Sequence, residues 1–278
     1  MKRLRPLLIL VVLALLSGCT PFEDLSQESP YPDQSLTTPF ALITWNTAKG
    51  RLSSEEEIAS QLATLGRHGS VVIALQEATP SMIKTQPFGA HFARSFAWIW
   101  QESPSGVALL STAKPVRAEP MVTPWREFGV TTPKMGLAAI YPLKQKNQKR
   151  KENLSLLVVT LHGFNFEPTP HGLSLQMDRV EAMVQNHTGP CVVAGDFNTW
   201  SQERLTLVRQ RLSGFSELSV RGTPGTGHPL VALAGGDPNI ALDRIFYRGL
   251  LPVGPGTTKP LPLSDHAPVE GIFDLPQP

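Results

Sequence analysis

The sequence predicts an α/β protein in which two packed β-sheets are flanked by helices. Many short strand-like segments are interspersed with only three segments of helical pattern, which disfavours a simple doubly wound sheet. The content of 41% hydrophobic and 17% charged residues is that of an ordinary globular protein. Because no internal repeat and no second linker interrupt the pattern, we expect one domain over residues 40–278.

The first element is a strand at residues 41–45, followed by a helix at residues 53–65. Ser53 or Ser54 caps this helix, and three glutamates occupy its first turn, where the helix dipole favours them. A buried strand follows at residues 71–75. Further strands are expected at residues 93–98, 106–110, 135–141, 154–161, 191–194, 242–247 and 268–273, and further helices at residues 173–185 and 201–212.

Residues 1–18 have the pattern of an export signal. Three basic residues precede an apolar run at residues 7–16, which is shorter than the roughly 20 residues of a membrane-spanning helix. The run ends in a Leu-Ser-Gly-Cys sequence that resembles the lipobox of bacterial lipoproteins and predicts lipidation of Cys19. A plain secretory signal is the alternative. With Cys19 lipidated, Cys191 has no partner, and its apolar surroundings predict a buried, inert thiol.

Lipidation at Cys19 implies a protein anchored in the cell envelope, because two or more acyl chains bind a membrane stably. Thr20, rather than Asp, follows the cysteine. This resembles the outer-membrane sorting pattern of Gram-negative bacteria, with the protein facing the periplasm or the cell surface. Residues 19–39 are rich in Pro, Ser, Asp, Glu and Gln without apolar periodicity, so we expect a flexible tether after the lipidated cysteine.

The charge of the chain gives little support for a polyanion-binding surface. The formal net charge is +2, but removal of the signal with its three basic residues leaves one net negative charge. A basic run at residues 144–151 lies between two strand-like segments. A solvated hairpin tip is favoured there over a phosphate-binding arm.

Polar side chains stand at the ends of the predicted strands, where rigid elements can present them to one site. They are Asn46, Gln76-Glu77, His162, Asp196-Phe197-Asn198, Asp243 and Ser264-Asp265-His266. An Asp orients a nucleophilic water, and an Asn amide donates to a phosphoryl oxygen. A carboxylate beside an imidazole suits acid–base chemistry next to a bound cation. Each motif alone is weak evidence for a function, since a sequence such as Gly-Asp-x-Asn is also common in turns.

In this order, the set resembles the endonuclease/exonuclease/phosphatase superfamily, which includes deoxyribonuclease I-like nucleases, inositol polyphosphate 5-phosphatases and bacterial sphingomyelinases. The resemblance spans residues 42–273. It implies a deoxyribonuclease I-like α/β fold, a four-layer sandwich of two packed mixed β-sheets flanked by helices. It also implies a hydrolase that cleaves phosphoric ester bonds by direct attack of water, without a covalent enzyme intermediate.

The resemblance also assigns metal ligands. Glu77 corresponds to the principal Mg²⁺ ligand, with Asn46 and Asp265 beside it. A set of oxygen ligands suits Mg²⁺, or Mn²⁺ in its place, rather than zinc.

The catalytic residues follow from the same resemblance. Asp196 orients or deprotonates the attacking water, and Asn198 stabilises the phosphoryl group. His266 is a catalytic histidine held by Asp243 through a hydrogen bond, and His162 contacts the scissile phosphate from the other side.

Three further residues are candidates for substrate binding. Lys134 stands where a phosphate-binding basic residue is often found. Phe164 follows His162 and contacts a base or a lipid, unless it packs beneath its own loop. His228 lies in a Gly- and Pro-rich segment expected to overhang the site, with a solvated loop position as the favoured alternative.

The substrate is a phosphate ester of a nucleic acid, a phospholipid or a small molecule, and no protein partner is implied. Superfamily nucleases often carry a Tyr between the Glu and the first His motif, whereas here Tyr141 belongs to a strand. This difference and the membrane anchor favour a lipid or small-molecule phosphoesterase. A nuclease acting on DNA or RNA is the first alternative, and a non-catalytic binding lipoprotein on the same scaffold is the second.

Overall fold

A computed structural model describes residues 22–27, 31–65, 69–95, 105–123, 125–127, 134–146, 154–167, 169–222, 241–258 and 260–276. The strands are β1 Phe22–Gln27, β2 Leu36–Thr38, β3 Phe40–Asn46, β4 Val71–Ala78, β5 Gly89–Ser95, β6 Gly106–Ser111, β7 Arg117–Val122, β8 Met135–Gln145, β9 Leu154–His162, β10 Cys191–Asp196, β11 Ser216–Glu217, β12 Val220–Arg221, β13 Asp243–Arg248, β14 Leu251–Pro252, β15 Gly256–Thr258 and β16 Val269–Asp274. The α-helices are α1 Glu55–Leu65, α2 Pro80–Lys84, α3 His171–Gln185 and α4 Gln202–Arg211.

The strands form two mixed sheets, which confirms the predicted fold class. The first sheet has the order β1-β5-β6-β4-β3-β16-β15-β12, with β14 beside β16. The second has the order β11-β13-β10-β9-β8-β2, with β7 beside β8. Most neighbouring strands are antiparallel. Strands β3 and β4 are parallel to each other, as are β9 and β10, so both strands of each pair end at the same edge of their sheet.

Alternation along the strands produces four layers, because successive side chains point to opposite faces of a sheet. In β3, Leu42 packs into the core between the sheets, and Ile43 packs outward against helices α1 and α2. In β10, Val192 faces the inter-sheet core, and Val193 packs outward against α3 and α4. Cys191 is fully buried, as predicted, and its burial raises the pKa of the thiol.

Helix α1 begins with the predicted cap. The Ser54 hydroxyl accepts a hydrogen bond of 3.2 Å from the Glu57 amide, and the Glu57 carboxylate accepts one of 2.9 Å from the Ser54 amide. This reciprocal pair is a capping box. Helix α4 is capped by Ser201, whose hydroxyl accepts from the Arg204 amide. Within the described part of the chain, no helix has the length and apolarity needed to cross a membrane.

The prediction of a flexible tether over residues 19–39 is wrong for the described part of that segment. Strand β1 pairs with β5, strand β2 pairs with β8, and Asp33 bridges to Ala113. Leu36 is fully buried between the sheets. Backbone hydrogen bonds to existing sheet edges offset the loss of chain entropy in this segment. Its polar side chains alone do not offset that loss. The strand predicted at residues 93–98 begins earlier in the structure than predicted. Strand β5 spans Gly89–Ser95, and residues 96–98 lie outside the described residues.

Candidate active site

The predicted site residues lie at strand ends that the two sheets bring together. Parallel pairing of β3 with β4 sets Asn46 beside Gln76, and parallel pairing of β9 with β10 sets His162 beside Asp196. Antiparallel pairing of β10 with β13 places Asp243 opposite Asp196. The sheets meet where Asn46 Nδ2 donates a hydrogen bond of 2.9 Å to Asp196 Oδ2. Residues far apart in sequence therefore form one site.

Gln76 joins the two sheets beneath this site. Its fully buried amide donates from Nε2 to Thr160 Oγ1 on β9 at 2.9 Å and to Thr44 Oγ1 on β3 at 3.2 Å. Because an unpaired polar group would be unfavourable between packed sheets, these bonds fix one sheet against the other. The strand ends that carry Asn46, His162 and Asp196 thereby acquire a defined separation.

Asp196 lies at the centre of the site and is 1% exposed. Its Oδ1 accepts a hydrogen bond of 2.9 Å from the Asn198 amide. Its Oδ2 lies 3.7 Å from His162 Nε2 and 3.9 Å from His266 Nε2. One carboxylate oxygen thus faces two imidazole rings, while the other is held by the turn that follows β10.

His266 is oriented by Asp243 and by the end of β3. Its Nδ1 lies 2.6 Å from Asp243 Oδ2, and its carbonyl accepts a hydrogen bond of 3.0 Å from Trp45 Nε1. Burial disfavours the charged ring, but the Asp243 carboxylate outweighs burial and raises the pKa of His266 to about 10. Burial raises the pKa of Asp243 to about 6, and this carboxyl is still ionised at neutral pH. His266 is therefore an imidazolium held by a carboxylate.

His162 has the opposite charge state. Burial lowers its pKa well below the ordinary value, and the neighbouring Lys134 and Lys49 ammonium groups lower it further. Lys134 Nζ lies 2.9 Å from His162 Nε2. A neutral ring that accepts this hydrogen bond at Nε2 carries its proton on Nδ1. The site thus contains one neutral and one charged histidine, both close to Asp196 Oδ2.

Glu77 occupies a left-handed backbone conformation, with φ 52°, in an irregular part of β4. Such a conformation disfavours a non-glycine residue by roughly 1–3 kcal/mol and concentrates at functional sites. Glu77 Oε1 lies 3.8 Å from His162 Nε2. The side chain is 17% exposed, so its carboxylate is accessible from the site.

The sequence matches the Endonuclease/Exonuclease/phosphatase family over residues 43–266. The chain belongs to this family. The match includes every predicted metal and catalytic residue from Asn46 to His266. Family membership confirms the prediction of a hydrolase acting on phosphoric ester bonds, and enzymes of this family generally depend on a divalent metal.

Three similar proteins illustrate the range of the family. UPF0294 protein VV2535 of Vibrio vulnificus is 29% identical over 242 residues, covering 84% of this chain and 77% of that protein. D. rerio TDP2, solved with a single-strand DNA product, superimposes with a TM-score of 0.61 at 16% identity, covering 87% and 100% of the two chains. Sphingomyelinase C of Streptomyces griseocarneus superimposes with a TM-score of 0.54 at 16% identity, covering 86% and 99%. At these identities, the two structures show a shared fold.

The oxygen donors of the site fit a hard divalent cation of the kind this family uses. Glu77 offers an accessible carboxylate, and Asn46 offers an amide oxygen that also accepts from the Ala48 amide at 3.0 Å. Asp265 lies close enough to His266 to raise its pKa. Among the described residues, no three His, Cys, Asp or Glu side chains are arranged as a complete metal cage.

Arg204, which the sequence patterns did not single out, holds two loops of the site together. Its side chain is 2% exposed. The Nε atom donates to the Asn198 carbonyl at 2.7 Å, and Nη2 donates to the Phe164 carbonyl. One sequence signal was available, because Arg204 shares a helical face with the buried Val208 and Leu212 at a spacing of four residues. A charged residue on an apolar face indicates a buried partner.

Of the three predicted substrate contacts, the structure places one in the site. Lys134 contacts His162, as described above. The prediction that Phe164 contacts a base or a lipid is wrong, because the side chain is fully buried beneath helix α3 and its amide donates to Gln176 Oε1 at 3.0 Å. The alternative of packing beneath its own loop holds. His228 lies outside the described residues.

Replacement of Asp243 by asparagine tests the charge of His266. We expect the pKa of His266 to fall by at least about two units, because burial then opposes the charge without its main counter-ion. Titration of the ring nitrogens by NMR measures this change. The wild-type pKa is raised in the folded state. The raised pKa of His266 therefore contributes stability that is fully present near pH 6.5, above the Asp243 pKa of about 6, and that is lost as pH rises towards about 10.

The stability advantage of the wild type over Asp243→Asn should accordingly shrink across that pH range in urea unfolding. Asp178→Asn, the same change at an exposed helix position, is the control and should leave the His266 titration unchanged. A His266 pKa that stays near 10 in Asp243→Asn would contradict the assignment.

Proposed function

We propose that the protein is a Mg²⁺-dependent phosphoesterase that hydrolyses a phosphodiester or phosphomonoester by direct attack of water. The observation that carries this proposal is the position of Asp196 Oδ2, 3.7 Å from His162 Nε2 and 3.9 Å from His266 Nε2. A single water molecule can lie within hydrogen-bond distance of all three groups, donating to Asp196 Oδ2 and His162 Nε2 and accepting from the protonated His266 Nε2.

In this arrangement, Asp196 takes a proton from the water as the water oxygen bonds to phosphorus. The bond to the leaving-group oxygen breaks at the same time, and this oxygen takes up a proton from solvent. The His266 imidazolium donates a hydrogen bond to the phosphoryl oxygen on which negative charge develops. Lys134 donates to the same phosphate from the side of His162, whose neutral ring accepts from the Lys134 ammonium and positions it there. A bound Mg²⁺ supplies Lewis-acid stabilisation of the developing charge, worth several kcal/mol.

For the substrate, we favour an ester of a lipid or a small molecule. The chain without its signal has almost no net charge, which gives little attraction for a duplex. Tyr141 is fully buried between the sheets and cannot serve as a substrate contact. A sphingomyelinase C shares the fold. The nuclease alternative has its own support in D. rerio TDP2, whose structure holds a single-strand DNA product.

A substrate panel tests the proposal. The wild type is incubated, in Mg²⁺ and in EDTA, with phosphodiesters, phosphomonoesters, DNA, RNA and phospholipid vesicles. The Asp196→Asn variant serves as the blank. We expect hydrolysis of at least one ester class that EDTA abolishes. A folded wild type that hydrolyses nothing in the panel would instead favour a non-catalytic binding lipoprotein. Cleavage confined to nucleic acids would favour the nuclease.

We also propose that Cys19 carries the membrane anchor of the cell envelope. Residues 1–21 lie outside the described residues, whereas β1 begins at Phe22. Three residues of extended chain span at most about 11 Å, so an anchor at Cys19 would hold the domain close to the bilayer. We expect wild type to fractionate with membranes and Cys19→Ser to be released into the soluble fraction. A Cys19→Ser variant that is processed and partitions like wild type would overturn the anchor.

A further inference from the structure

Lys49 lies in a strained turn directly after β3. Ala48 and Lys49 both adopt left-handed backbone conformations, with φ 48° and 57°, and Gly50 follows with φ 68°. For residues with a side chain, this conformation is unfavourable. The surrounding structure must therefore hold the turn, and strain of this kind marks candidate functional positions.

The turn is tied to the end of β4 that carries Glu77. The Thr47 amide donates to the Gln76 carbonyl at 2.9 Å, and Thr47 Oγ1 lies 3.1 Å from the Glu77 carbonyl oxygen. The Ala48 amide donates to Asn46 Oδ1 at 3.0 Å. As a result, the Lys49 ammonium is directed at the site, with Nζ 4.0 Å from Glu77 Oε2.

An ion pair with Glu77 does not by itself account for this turn. The Lys49 side chain is 39% exposed and the pair is long, at 4.0 Å. Exposed pairs contribute little to stability, so this pair does not offset the strain of two left-handed residues. Glu77 is also the proposed metal ligand, and when it ligates a cation its charge is no longer available to Lys49.

A second lysine reaches the same place from the other sheet. Lys134 Nζ lies 2.9 Å from His162 Nε2, which is in turn 3.8 Å from Glu77 Oε1. Burial lowers the pKa of Lys49, the Glu77 carboxylate raises it, and the Lys134 ammonium lowers it again. Both ammonium groups thus border Glu77, Lys49 directly and Lys134 through His162, so an anion bound at this end of the site can meet two positive charges.

We propose that Lys49 and Lys134 together bind the two negative charges of a terminal phosphate group. The preferred substrate is then a phosphomonoester or a terminal phosphate, rather than an internal diester. A monoester phosphate carries about −1.5 to −2 charges at neutral pH, whereas a diester carries one. This inference rests on the proposed function, because the two lysines border the proposed catalytic residues.

Calorimetric titration with two anions tests the inference without turnover. Inorganic phosphate, a dianion at pH 8, and dimethyl phosphate, a monoanion, are each titrated into the full chain with saturating Mg²⁺. For Lys49→Met we expect phosphate to bind at least about tenfold more weakly, because a charge-assisted hydrogen bond is lost. Dimethyl phosphate should weaken by less than about threefold. Lys49→Arg should restore most of the phosphate affinity, and Lys84→Met, at an exposed position of α2, should change neither.

Each outcome decides the matter. Unchanged phosphate affinity in Lys49→Met, or equal weakening of both anions, would overturn the inference even if the wild type hydrolyses esters. Selective loss of phosphate binding supports it, even if the wild type hydrolyses no ester in the panel. In that second case the proposed activity fails while the terminal-phosphate site stands.

Discussion

Asp196→Asn is expected to reduce turnover by about two to four orders of magnitude, the usual contribution of a positioned acid or base. The amide cannot accept the proton of the attacking water, yet it keeps the volume of the carboxylate. Substrate affinity should change far less than turnover, because Lys134 and His266 still contact the phosphate. Steady-state kinetics and single-turnover measurements at saturating Mg²⁺ separate the two effects.

The fold should survive this replacement with a moderate loss of stability. Asp196 accepts hydrogen bonds from the Asn46 amide and the Asn198 backbone. Loss of hydrogen bonds to a buried charged group destabilises by roughly 1.5–3 kcal/mol, less than the roughly 5–15 kcal/mol that stabilise a typical domain. Asp178→Asn is the matched control on the surface of α3 and should keep wild-type turnover. Near-normal turnover in a folded Asp196→Asn would place the proton transfer elsewhere.

Glu77→Gln is expected to weaken Mg²⁺ or Mn²⁺ binding by at least about tenfold, or about 1.4 kcal/mol. The substitution removes the accessible carboxylate charge while keeping its size and the left-handed backbone of this position. Hard divalent cations depend on carboxylate charge for affinity. Isothermal titration with Mn²⁺ measures the change directly, independently of any substrate.

Glu119→Gln on β7 serves as the control, since its carboxylate pairs with Arg117 on the protein surface. We expect wild-type metal affinity in this variant. Excess metal should partly restore the activity of Glu77→Gln if the loss lies in metal binding. Equal Mn²⁺ affinity in wild type and Glu77→Gln would remove Glu77 from the metal site.

The central strands, the long helices and the polar residues at the strand ends were predictable from sequence because each depends on local chemistry. Apolar runs of strand length ended at polar residues, and Ser54 with Glu57 marked the start of α1. The order of the strand-end motifs then pointed to the family. Side chains whose role depends on distant partners were not predictable in this way. Arg204 spans two loops, and its contacts with Asn198 and Phe164 have no counterpart in the helix sequence around it.

The wrong predictions for the segment before β3 and for Phe164 have one physical cause. The segment before β3 is polar, but β2 gains backbone hydrogen bonds from β8 and buries Leu36 between the sheets. Phe164 stands in a loop beside a catalytic histidine, but helix α3 covers its ring completely. In both cases, the environment comes from elements far away in the chain, and no local pattern records it.

By itself, the sequence determined the central strands and the long helices, the polar residues that end those strands and the family to which the order of motifs belongs. Only the tertiary structure decided the chemistry of each group. His162 and His266 end similar motifs, yet the Lys134 ammonium and burial keep the first neutral, whereas the Asp243 carboxylate keeps the second charged. The direction of Lys49 towards Glu77 was decided in the same way. Electrostatic interactions act across a few ångströms of space regardless of separation along the chain, so they exist only once the two sheets have packed.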